Sequence, residues 1–125
     1  MNDYEKTTAL TLAVVENFNE AFNRHDVDGV MRFMTEDCLF ENTSPMPDGT
    51  RFEGAVAIRA FWEKFFASNP DAFFEAEDIF AAGDRCTVRW IYRKTKEGKP
   101  WHIRGVDVFK VVDGKVSEKL AYVKG

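Results

Sequence analysis

The sequence predicts an α+β fold: helices first, then an antiparallel sheet that curves around them. Three observations predict it. Apolar residues recur at helical spacing over residues 4–24 and again over 54–68. From Phe73 onward the pattern changes to alternation, punctuated by turns at Ala82-Gly83-Asp84, Lys96-Glu97-Gly98 and Asp113-Gly114. Helices followed by a run of strands is the order of an α+β fold. A chain of 125 residues suits one domain with one core, spanning 1–125.

The elements follow in order. Leu10, Val14, Phe18, Ala21 and Phe22 form the stripe of the first helix. Asp26 can cap a short second helix, with Val27, Val30, Met31 and Met34 as its stripe and Thr35-Glu36-Asp37 as its end. Cys38 to Asn42 reads as a short strand, with Cys38, Phe40 and Asn42 on one face. A loop from Thr43 to Glu53 holds Pro45, Pro47 and Asp48-Gly49. Gly54 opens the third helix, whose stripe is Ile58, Phe61, Trp62, Phe65 and Phe66, and Asn69-Pro70-Asp71 stops it. Strands follow at 73–81, 85–94 and 101–112, with a last one after Gly114.

Composition narrows the function. The net charge of -4 argues mildly against nucleic-acid binding, which wants a basic face, and no apolar run is long enough to span a bilayer. The polar, acidic start MNDYEKTTAL is unlike a signal peptide. Cys38 and Cys86 lack metal or disulfide spacing, and His25 and His102 add none. The expectation is a cytoplasmic protein with two buried thiols, no metal and no cofactor. Twelve Phe, three Trp and three Tyr are many for this length; aromatics fill cores and also line pockets.

One residue breaks an apolar row. In the strand 101–112, Trp101, Ile103, Gly105, Asp107, Phe109 and Val111 share a face. Asp107 is its one polar side chain and needs a partner, a proton or water. In a closed core it is a satisfied structural acid; in a pocket it is a site candidate. The turn after Val112 decides its neighbour. A two-residue Asp-Gly turn sets Leu120 opposite Asp107, and a three-residue loop with a Gly bulge sets Lys119 there. The bulged register is preferred because it supplies a cation. It puts Ser117, Lys119, Ala121 and Val123 on the Asp107 side, and Val116, Glu118, Leu120 and Tyr122 on the other. The outer face then carries Ile91, Val106, Val108, Leu120 and Tyr122, an apolar surface suited to a second copy of the chain.

Residues 21–42, 52–66, 81–90 and 104–123, taken together, resemble the NTF2-like superfamily, and within it the SnoaL-like and ketosteroid-isomerase-like groups. The resemblance implies a curved sheet wrapped by helices into a cone (a cystatin-like roll) with a pocket inside, and often dimerisation through the outer sheet face. Ketosteroid isomerases use an Asp base and an oxyanion hole of a Tyr and a protonated Asp. By that resemblance the oxyanion Asp falls on Asp107 and the base on Asn42, whose amide cannot take a proton at neutral pH. The oxyanion Tyr falls on Phe18, and its supporting tyrosines on Met34 and Trp62. Standard isomerisation of 3-oxo-Δ5-steroids is therefore not expected. SnoaL-like members, which include polyketide cyclases, often place a basic residue where Lys119 stands.

These readings converge on a small, mostly apolar ligand in the cone. Isomerase, cyclase or hydrolase type acid/base chemistry would centre on Asp107, with Lys119 as charge partner and Asn42 as polar orienter. Phe18, Phe22, Met34, Phe61, Trp62, Trp90, Tyr92, Trp101, Ile103, Phe109 and Val123 would form the wall. The alternative is a non-catalytic ligand carrier or dimerising module of the same fold.

Overall fold

Asn2 starts the first helix: its side chain accepts from the Glu5 backbone while the Glu5 carboxylate reaches back to the Asn2 N–H, a reciprocal cap. The computed structural model describes residues 1–125. Helix α1 runs Asp3–Asn23 and α2 Val27–Arg32; strands β1 and β2 are Met34–Glu41 and Arg51–Glu53. Helix α3 is Ala55–Ser68, followed by β3 (Phe73–Ala82), β4 (Arg85–Lys96), β5 (Lys99–Val112) and β6 (Lys115–Val123). All six strands join one sheet in the order β2-β1-β6-β5-β4-β3. β3 to β6 form the expected antiparallel meander, but β1 lies parallel to β6, so the sheet is mixed and open. Parallel neighbours need a long connection, and everything between β1 and β6 serves as one.

The core lies between the helices and one sheet face. Thr11, Val14, Val15, Phe18, Ala21 and Phe22 of α1 are buried there, with Ile58, Trp62 and Phe66 of α3. Leu10, placed on the buried stripe from sequence, is instead 52% exposed. Four-residue steps drift by about 40° each around a helix, so two steps carry Leu10 off the stripe that holds Phe18. Met34, placed on α2, opens β1: α2 stops at the Phe33 cap, and Met34 pairs with Val116 in the parallel ladder.

The last strand follows neither register anticipated. Asp113 and Gly114 both have positive φ and make a tight two-residue turn between Val112 and Lys115. The extra residue comes later, at Ser117: Val111 faces Val116, but Lys110 faces Glu118. Asp107 consequently pairs with Ala121, and Lys119 with Phe109. The bulge still turns Lys119 to the Asp107 side, because the faces depend only on parity. Val116 lies before the bulge and is buried in the core instead of joining the outer face.

Gly105 is fixed by packing. It pairs with Trp90 across β4 and β5, and a Cβ there would overlap the Trp90 ring and the Tyr122 carbonyl oxygen. The indole lies flat across the space a side chain would take. Gly105→Ala is expected to lower stability by about 1–3 kcal/mol through overpacking, read as a lower urea midpoint; an unchanged midpoint would show that the indole has room to move.

Candidate functional site

Alternation along β5 and the Ser117 bulge bring Asp107 and Lys119 to the same inner face. The Lys119 Nζ lies 3.3 Å from Asp107 Oδ2. Asp107 is 4% exposed and Lys119 7%, so this ion pair is internal, unlike the exposed pairs that Arg24, Arg51 and Arg93 make elsewhere. Aromatic faces complete the lysine's surroundings: Nζ lies 4.9 Å from the centre of the Phe40 ring and 5.7 Å from that of Phe22.

Three buried polar atoms of inner-face residues on β4 and β5 have no partner: Asp107 Oδ1, Trp90 Nε1 and the Tyr92 hydroxyl. Buried polar groups are nearly always paired, so three orphans on one sheet face need an explanation. Trp90 and Tyr92 are next-but-one on β4 and therefore share the inner face. Phe74 holds both, edge-on to Trp90 at 5.2 Å and stacked on Tyr92 at 4.4 Å. Burial pushes the Tyr92 hydroxyl up to about 12, with the charge of Asp71 adding to it. Burial likewise raises the Cys38 and Cys86 thiols, the latter to about 11, and the two are unpaired.

Two cavities meet at this point. The mouth cavity, about 270 Å3, opens beside the β1–β2 loop between α3 and the sheet. Phe22, Phe61, Trp62, Trp90, Tyr92 and Ile103 line it, together with Lys119. The side cavity, about 350 Å3, opens between α1 and β3 and reaches Asp107. Phe22, Phe74, Trp90 and Lys119 line both. The ion pair thus stands on a partition, with Asp107 facing one cavity and Lys119 facing both.

Other residues singled out lie elsewhere. Phe18 and Phe109 are fully buried behind the wall, in edge-to-face contact at 5.5 Å. Met34 is buried near the start of β1, away from both cavities. Trp101 packs edge-on against Tyr92, beside the cationic Lys94. Val123 is exposed near the end of β6. Asn42 lines the mouth cavity, but its side-chain oxygen accepts from the backbones of Thr50 and Ser44, at 2.8 and 3.2 Å. It pins the loop 43–50, and Gly49 passes so close to the Asn42 carbonyl that a Cβ would overlap it. His25 has positive φ, contacts the Ala72 carbonyl and stacks on Phe66, a structural placement. Sequence reasoning missed Phe40, Phe65, Phe74 and Ala121 in the mouth cavity. Phe40 alternates with Asn42 and Ala121 with Lys119, so the signal was present for those two. No group of three or more His, Cys, Asp or Glu is arranged to hold a metal ion, and no helix is long and apolar enough to cross a membrane.

Helices folded onto one face of an open mixed sheet make this an α+β fold of the NTF2-like class. The sequence profile of the SnoaL-like domain matches residues 15–119, and the chain belongs to that family. Among solved structures, an NTF2-like protein of unknown function from Mesorhizobium loti is 36% identical, with 94% of this chain and 93% of that one covered and a TM-score of 0.82. A proposed ketosteroid isomerase from Kribbella flavida is 19% identical, covering 94% of this chain and 80% of that one at a TM-score of 0.81. An epoxide hydrolase of the LEH-like type from M. tuberculosis is 20% identical, covering 94% and 84%, with a TM-score of 0.77. The last two likenesses are of fold alone. No curated protein sequence matches the chain.

Removing one member of a buried ion pair leaves the other uncompensated. Lys119→Met is therefore expected to lower the unfolding free energy by about 3–5 kcal/mol. Chemical denaturation at neutral pH measures it. A loss under about 1 kcal/mol, as for exposed pairs, would show that the pair is effectively solvated.

Proposed function

We propose that the protein binds a small, mostly apolar molecule in the mouth cavity and holds an oxygen of that molecule on Lys119, Tyr92 and Trp90. The observation that carries this reading is the aromatic mouth cavity lined by the Lys119 ammonium together with Trp90 and Tyr92, whose Nε1 and hydroxyl have no partner. Such a lining, apolar with a few convergent polar groups, is the usual form of a small-molecule site. A volume of about 270 Å3 lies just below the roughly 300–1,000 Å3 typical of such sites and favours a compact ligand.

Asp107 positions Lys119, and the two supply an acceptor and a donor for proton transfer of the isomerase, cyclase or hydrolase type. In this reading Asn42 shapes the mouth by fixing the loop 43–50 and is not a base. That supports binding, with or without conversion, over steroid isomerisation. Two buried free thiols are consistent with a cytoplasmic setting.

The test compares acetophenone with ethylbenzene, which lacks the carbonyl oxygen. The ketone is expected to bind about tenfold more tightly, the value of one hydrogen bond to a charged donor. Ala121→Trp, which fills the mouth cavity, should abolish its binding, and Tyr92→Phe should narrow the margin. Equal affinities, or ketone binding that survives Ala121→Trp, would contradict the reading.

The outer sheet face supports a second part of the proposal, a homodimer. Val106, Val108 and Leu120 are only half-buried there, and Tyr122 is 54% exposed. Ile91, expected in the same patch, is already buried, flanked by the pairs Arg93–Glu75 and Arg104–Glu77. Light scattering should give twice 14.4 kDa, falling to the monomer mass in Val108→Lys. A monomeric wild type at micromolar concentration would sink this part.

A further inference from the structure

The side cavity differs in chemistry from the mouth cavity. Its rim carries the carboxylates of Glu16 and Glu20 from α1, and the buried Asp107 lines it further in. Helical spacing of four residues puts the first two on one flank of α1, while Glu75 stands at the edge of the cavity on β3 with its carboxylate turned to Arg93 on the outer sheet face. One cationic side chain lines the same space, Lys119, and its Nζ is already committed to Asp107 Oδ2. Asp107 Oδ1, by contrast, is buried and unpartnered, and Asp107 is one of the residues that line the cavity. It is an acceptor without a donor, next to a cavity with two carboxylates at its rim.

We propose that the side cavity is a subsite for an organic ammonium group, with Asp107 Oδ1 as its hydrogen-bond acceptor and the faces of Trp90 and Phe74 as its aromatic wall. An anion entering here would meet three carboxyl groups, those of Glu16, Glu20 and Asp107, against one ammonium. A neutral hydroxyl could satisfy Oδ1 but would leave the rim field unused. A bare metal ion needs several ligands within coordination distance, and no such cluster exists. An alkyl or aryl ammonium matches each feature: an N–H donor for Oδ1, positive charge for the rim, and a weakly hydrated surface for cation–π contact. Glu20 is partly occupied by Arg24, at 2.8 Å, but this exposed pair is weak and can reorganise. Glu16 has no such partner and is the rim residue most open to an incoming cation.

This inference goes beyond the oxygen-binding mouth cavity and does not depend on it, since Glu16, Glu75 and Asp107 line the side cavity and not the other. The probe is phenethylammonium, with 2-phenylethanol as its neutral isostere, titrated by amide NMR at neutral pH. The amine is expected to bind about tenfold more tightly than the alcohol and to shift the amides of Asn19, Glu20 and Ala76. Glu16→Gln, an exposed change that leaves the fold undisturbed, should weaken the amine about threefold and leave the alcohol unchanged. Ala76→Trp, which fills the side cavity, should remove amine binding. Ile103→Trp, which crowds only the mouth cavity and lies four residues along β5 from Asp107, should leave it intact. Equal affinity for amine and alcohol, an amine affinity indifferent to Glu16→Gln, or shifts confined to Phe61, Tyr92 and Ala121 would overturn the proposal. The acetophenone result has no bearing on that outcome, because Glu16 and Ala76 line the side cavity and not the mouth cavity.

Discussion

The structure depends on keeping one ion pair in an aromatic interior. Taking a carboxylate and an ammonium out of water costs several kcal/mol each, and their mutual attraction recovers this only when geometry and remaining hydrogen bonds are good. Asp107 and Lys119 meet through one oxygen at 3.3 Å, and the other oxygen has no partner. As a purely structural device the arrangement is poor. A matched apolar pair at the same two positions would pack against Phe22, Phe40 and Phe109 with no such penalty. The pair makes sense if its unused bonding capacity is spent on something that enters the cavities, as proposed for both of them.

Much of the fold serves to hold that pair in register. The Ser117 bulge turns β6 so that Lys119, and not Leu120, looks inward. Gly105 leaves room for the Trp90 indole, which then stands next to the ion pair instead of being displaced by a β5 side chain. Phe74 locks Trp90 and Tyr92 together, so the two unpaired donors keep a fixed spacing. Asn42 and Gly49 shape the loop at the mouth. A site built on strands and braced by rings is held more rigidly than one built on loops.

Strong periodicity made the architecture legible. The α1 and α3 stripes and the alternation of β4 and β5 each point to one state, and Asp107 stood out because it alone interrupts an apolar row. The parallel pairing of β1 with β6 was not legible, since partners so distant in sequence leave no local signal. Nor was the bulge at Ser117: a tight Asp-Gly turn and a later extra residue give the same parity as a looser turn, so the side was read correctly and the opposite neighbour was not. Met34 was read as helix because a stripe of Val27, Val30 and Met31 continues into it, whereas strand pairing with Val116 decides its state. The side cavity left no trace in sequence, because Glu16 and Glu20 look like ordinary solvated charges until α1 and β3 are brought together.

The central claim is that the buried pair is kept for what it binds and not for the stability it lends. The double variant Asp107→Leu/Lys119→Met tests it most directly, with urea unfolding and acetophenone affinity measured on the same sample. The account predicts a protein at least as stable as the wild type that has lost its preference for the ketone over ethylbenzene. A double variant several kcal/mol less stable than the wild type that still prefers the ketone would contradict it.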